Sequence, residues 1–219
     1  RLRTWCSEIS AIKRKAYRSQ DYWGKPVPGF GDPAARILVV GLAPGAHGSN
    51  RTGRMFTGDA SGDFLYPALH ACGFASQPES STRTDGLTLQ DIYITAVCRC
   101  APPQNRPTPQ ETNNCLPYLE REYRQLPVQG IVALGQIAYA HSIKLVQQIC
   151  GVRLEAPKFG HGILFTPEGN TPWLMASYHP SRQNTQTGKL SREMFLAIWQ
   201  KARRLIASTD MQHPGGRLE

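Results

Sequence analysis

The stretch Arg36–Gly53, RILVVGLAPGAHGSNRTG, decides the fold. A short apolar run, Arg36–Val40, passes straight into a glycine-rich loop, Gly41–Gly53. A strand that feeds such a loop gathers backbone amides around an anion or a flat ligand. The loop has neither the lysine of a phosphate-cradling loop nor the GxGxxG spacing of dinucleotide binders. Its ligand is therefore of another kind.

Working outward, three further apolar runs read as strands: Ile92–Val97, Ile131–Leu134 and Trp173–Ser177. Helical stretches separate them: residues 60–72 with Pro67 inside, Gln110–Leu126 with Pro117 inside, a helix from Gly135 to about Gln148, and one from an N-cap at Ser191 to about Ile206. Residues 1–20 read as a basic amphipathic helix. Tyr22–Pro33 and Ala101–Pro109 read as loops rich in glycine or proline. The last ten or so residues, from about 208, read as a loose tail of a single domain spanning 1–219. Strands alternating with helices imply an α/β fold with a mainly parallel sheet covered on both faces. In such sheets ligands sit beyond the carboxyl ends of the strands. Four segments converge there: GLAPGAHGSN, FTGD, PPQNRP and SYHPSRQNTQTG.

The chain of 219 residues carries a net charge of +9, which suits a polyanionic partner, nucleic acid first. Hydrophobic residues make up 40%, enough for one packed core and against disorder. No apolar run spans a bilayer, and the basic start lacks the apolar core of a secretion signal, so a cytoplasmic protein is expected. Six cysteines without such a signal argue against a disulfide framework. Cys72 and Cys150 read as buried or cap-proximal thiols.

GLAPGAHGSNRTG, FTGDASG, CAPPQNRPTP and SYHPSRQNTQTG, in this order, resemble the family 5 uracil-DNA glycosylases (UDGb type) of the uracil-DNA glycosylase superfamily. The likeness runs from Arg1 to about Leu205. It implies a three-layer α/β/α sandwich around a four-stranded, mainly parallel sheet. It implies a monomer that acts on DNA containing uracil or other deaminated bases, hypoxanthine among them. The glycine-rich loop, with Gly41, Ala43, Gly45 and His47, would lie against the flipped base and sugar, which is why no phosphate-binding lysine is needed.

A glycosylase needs a pocket that reads the base, help for the departing anion, and a directed water. Asn105 offers a donor and an acceptor side by side, matching uracil O4 and N3–H; on spacing alone it reads as a turn asparagine, and the resemblance reverses that. Phe56 is the candidate platform under the base, or else a core aromatic. His179 can donate to the charge developing on uracil O2, or simply cap a strand end. Asp59 is the candidate carboxylate for the water and the oxocarbenium-like sugar, or else a turn aspartate; Ala43 stands where related families of the superfamily place an acid or amide in the first loop. Asn184 is a second group for water or sugar. Ser181, Arg182 and Gln183 could press into the minor groove, and Asn50 and Arg51 could touch phosphate or sugar. No lysine is placed for Schiff-base chemistry.

The resemblance also implies that Cys100 and Cys115 are two of four ligands to a [4Fe–4S] cluster, with a C-x-x-C pair expected just before Arg1. Cys6 falls inside the first helix, and Cys98 is read as pointing away from Cys100. Two rival classes share the sequence: a non-catalytic or covalently trapping nucleic-acid-binding module on the same fold, and a redox protein using the cluster. No flavin or nicotinamide motif supports the second.

Overall fold

The computed structural model describes residues 1–169 and 171–212. Its strands are β1 (Phe30–Gly31), β2 (Ile37–Gly41), β3 (Ile92–Ala96), β4 (Gly130–Leu134), β5 (Leu164–Phe165) and β6 (Trp173–Ser177). The α-helices are α1 (Leu2–Ile12), α2 (Ser49–Thr52), α3 (Gly62–Ala71), α4 (Pro109–Gln125), α5 (Gln136–Cys150), α6 (Arg182–Gln186) and α7 (Arg192–Gln212). Among the described residues no helix is long and apolar enough to cross a membrane.

The sheet has six strands in the order β1-β3-β2-β4-β6-β5. The inner four, β3-β2-β4-β6, are all parallel and are the four runs read from the sequence. The expectation of four strands is corrected to six. Two-residue strands, β1 and β5, pair antiparallel at the edges, in segments too short to show a period.

Alternate residues of each inner strand enter opposite cores. Ile37, Val39, Ile92, Ile94, Val132 and Met175 pack with α3 and α7. Leu38, Val40, Ile131, Ala133, Leu174 and Ala176 pack with α1, α4 and α5. Apolar residues at every position are what a sheet buried on both faces requires. Trp173 packs flat against Gly130, where any Cβ would overlap its ring.

The first helix stops at Ile12 because Lys13 turns left-handed, at φ 54°, and only a 3-10 turn at Lys15–Tyr17 follows. A helix through residue 20 is thus corrected. α4 opens on a capping box, Thr108 with Glu111, followed by Pro109 at its first position. The stretch after residue 208, read as a tail, stays helical to Gln212, and the rest of that tail lies outside the described residues.

Candidate active site

Chain order places β3 on one side of β2 and β4 on the other, so the crevice opens at the carboxyl ends of β2 and β4. The loop leaving β2 begins at Gly41, against the ring of Phe56: a Cβ on Gly41 would stand 2.9 Å from Phe56 Cζ. Phe56 is left-handed, φ 52°, and buried. A large residue holds that backbone only when its surroundings over-determine it. Here Tyr66 donates to the Met55 carbonyl at 2.8 Å, and the buried Arg54 forks onto Asp85 at 2.8 and 2.7 Å. Arg54 also donates to Thr57 and Ser80.

Asp59 follows within three residues. Its Oδ1 accepts the backbone N–H groups of Ser61 and Gly62, at 3.0 and 3.1 Å. Its Oδ2 faces the glycine-rich loop: a Cβ on Gly48 would overlap it, and one on Gly45 would stand 3.1 Å away. The loop is glycine-rich at these positions because the carboxylate occupies the space. Burial raises the Asp59 pKa above its ordinary value, and the two amides partly offset this. The result is a fixed, poorly solvated base with one oxygen facing the cradle.

His179 lies two residues beyond β6, over Gly135 at the end of β4. Its ring stands 6.0 Å from that of Phe56, tilted by 32°. Desolvation pushes its pKa down to about 4, so it is a neutral donor at pH 7. Two contacts hold its backbone: Ser181 N–H and Asn184 Nδ2 both donate to the His179 carbonyl, at 2.8 and 2.9 Å. Just before it, Tyr178 N–H donates to His161 Nδ1 at 3.2 Å, and His161 Nε2 donates to the Met194 carbonyl at 3.3 Å. His161 thereby fastens the strand end to α7, a role no sequence signal marks.

The chain belongs to the uracil DNA glycosylase superfamily. The superfamily's sequence model, Uracil DNA glycosylase superfamily, matches residues 28–203. The chain is 54% identical over 206 residues to a type-5 uracil-DNA glycosylase of Thermus thermophilus, covering 94% of this chain and 91% of that one. It is 43% identical to a type-5 enzyme of Pyrobaculum aerophilum, over 92% and 85% of the two chains. A type-4 uracil-DNA glycosylase of Archaeoglobus fulgidus is 31% identical over 71% and 70%.

Within this crevice the structure brings Gly41, Gly45, Phe56, Asp59 and His179 together. Ala43 sits half-buried on the same loop. Asn105 stands apart. It ends a 3-10 turn, Pro103–Asn105, where Gln104 and Asn105 are both left-handed, φ 53° and 56°. The side chain is exposed, with no hydrogen bond of its own among the described residues. Two consecutive left-handed residues give this loop a strained backbone that asparagine content alone does not reveal.

Asn50 and Arg51, expected to touch phosphate or sugar, both turn inward. Asn50 is fully buried and donates to Ala46, leaving its Oδ1 without a partner among the described residues. Arg51, 8% exposed, donates to the carbonyls of His47 and Gly58 and to Gln20, and lies 4.0 Å over the Tyr17 ring. It clamps the glycine-rich loop to the residue before Asp59. His47 pairs with Tyr22: Tyr22 accepts Arg14 N–H at 3.3 Å, and its hydroxyl faces His47 Nδ1 at 3.0 Å. Ser181 caps α6, while Arg182 and Gln183 are exposed on it.

Cys100 and Cys115 line one cavity of about 910 Å³, beside Arg1, Arg3 and Pro26–Gly29. The Cys6 thiol stands against Cys100, and the Cys98 thiol against Cys115. Cys98, read as pointing away from Cys100, lies beyond β3, which ends at Ala96, and the two thiols meet different partners. The Cys98 thiol donates to Cys115 and holds its pKa below the usual value. Among the described residues no three His, Cys, Asp or Glu side chains converge as a metal ion requires. The thiols form two pairs, and Cys100 and Cys115 fit a cluster as two donors only.

Proposed function

We propose that the chain is a monofunctional uracil-DNA glycosylase that leaves an abasic site, as the start of base-excision repair. The observation that carries this is the Asp59 carboxylate, with one oxygen fixed by two amides and the other aimed into the glycine cradle, in a site where a neutral histidine adjoins an aromatic ring. The flipped uracil lies on Phe56, and Asn105 pairs with its O4 and N3–H. Asp59 accepts a proton from a water, whose oxygen bonds to C1′ of the sugar. The C1′–N1 bond breaks, its electron pair passes to the uracil ring, and His179 donates a hydrogen bond to the O2 that gains charge. Asp59 also faces the positive charge developing on the sugar. Asn184 acts through His179, whose carbonyl it holds. Arg182 and Gln183 enter the space the nucleotide leaves.

The same pocket takes hypoxanthine and other deaminated bases, which carry a keto oxygen where an amino group stood. Cys100 and Cys115 would hold two positions of a [4Fe–4S] cluster. When bound, it would supply a rigid crosslink between the proline-rich loop and α4. The chain acts as a monomer.

The test is release of free base from a labelled duplex with one U opposite G, with hypoxanthine opposite T beside it, followed by hot alkali. Strand scission only after alkali is the expected result. Tight binding without base release would move the chain to the non-catalytic or trapping class. Iron and sulfide analysis of the parent against Cys100→Ser and Cys115→Ser tests the cluster separately.

A further inference from the structure

We propose that the basic segment Lys13–Arg18 is a phosphate-binding site for DNA, docked on the glycine-rich loop beside the flipped nucleotide. This rests on the DNA-acting reading above and replaces the contacts that the inward turn of Asn50 and Arg51 removes.

The segment is fixed to the loop from several directions. Trp23 N–H donates to the Arg51 carbonyl at 2.9 Å, and Gly24 N–H to the Asn50 carbonyl at 3.0 Å. Gln20 accepts from Arg51 at 2.5 Å, and Tyr17 covers the Arg51 guanidinium. Tyr22 joins the backbone of Arg14 to His47. The Trp23 ring packs on Gly53, the last residue of the loop. Lys13, left-handed, turns the chain out of α1 so that the run KRKAYR crosses this surface.

The charges it carries are not spent on the fold. Arg14, Lys15 and Arg18 are exposed, and among the described residues none has an acidic partner. Lys13 alone reaches an acid, Asp21, at 3.8 Å. Arg14 is close enough to His47 to help, after burial, in lowering its pKa. Lys25 and Arg83 stack on Trp23, at 5.7 and 4.7 Å, and extend the strip. The contrast is with Arg36, Arg54, Arg99 and Arg203, each paired with Asp91, Asp85 or Glu122. Unpaired cations on a rigid support next to a base-flipping loop are suited to the evenly spaced phosphates of a duplex. Such contacts hold register without reading sequence.

The experiment is the salt dependence of binding to a duplex carrying a non-hydrolysable 2′-fluoro-deoxyuridine. In the triple variant Arg14→Ala, Lys15→Ala, Arg18→Ala, the slope of log K against log salt should fall by about three, roughly one for each cation removed. Binding at low salt should weaken on the order of tenfold or more. The double variant Arg14→Lys, Arg18→Lys should keep the parent slope. A control that removes three exposed cations elsewhere, Arg121→Ala, Arg124→Ala, Lys158→Ala, should keep it too. An unchanged slope in the first triple, or an equal loss in the control, overturns the site. A parent that binds with full slope but releases no uracil sinks the glycosylase reading and leaves the phosphate site standing.

Discussion

Burial raises the Asp59 carboxyl above its ordinary pKa of 3.8, so the folded chain binds its proton more tightly than the unfolded chain does. Stability from this group falls as pH rises through that window. Asp59→Asn should therefore have two opposite effects at pH 7: base release lower by roughly 10²–10⁴-fold, and a melting temperature above that of the parent. A variant that loses activity and also melts lower would show that Asp59 holds the loop. The acid limb of single-turnover cleavage should lie above the range of an ordinary aspartate. A protonated His179 still donates, so it does not set that limb, and His179→Gln should be slower but titrate in the same place. A limb that vanishes in His179→Gln would assign it to the histidine instead.

At the scale of elements, the glycine-rich loop works because its side chains are missing where Asp59 needs room. Gly48→Ala should abolish most base release while Asp59 itself is intact, and a crystal structure should show the carboxylate displaced or the loop lifted. Parent-like activity would mean that Oδ2 does not use this cradle. At the other side of the site, Thr108→Ala removes the cap of α4 and should cost about 1 kcal/mol in denaturant unfolding. The four inner strands were legible as apolar runs because both their faces are buried. The edge pairs Phe30–Gly31 and Leu164–Phe165 were not, since two residues carry no period. Single-turn helices at Ser49–Thr52 and Arg182–Gln186 were hidden for the same reason. Asp59, Phe56 and His179 were legible through motif resemblance. The inward turn of Arg51 was not, because Tyr17, Gln20 and Gly58 come from other segments and only the folded chain assembles them.

Across the whole molecule, buried ion pairs tie distant segments to the site. Arg54 and Asp85 join the Met55–Thr57 turn to the loop at 80–87. Burial alone would raise the Asp85 carboxyl, but Arg54 and three backbone amides hold it well below the usual range. Its contribution is present above an unfolded pKa of about 3.9 and is lost as pH falls below that. Asp85→Ala strands a buried guanidinium and should cost roughly 3–5 kcal/mol at pH 7. The double variant Arg54→Met, Asp85→Leu should recover much of the loss. If the double is as unstable as the single, the pair contributes more than charge compensation. Asn105 lies outside these ties, on a loop of its own, with its backbone already turned and its amide unbonded among the described residues. Under the proposed function, changing that side chain should alter what the crevice accepts without dismantling Asp59 and His179. If Asn105 reads the base as proposed, a directed search for new base preferences should begin at this single codon.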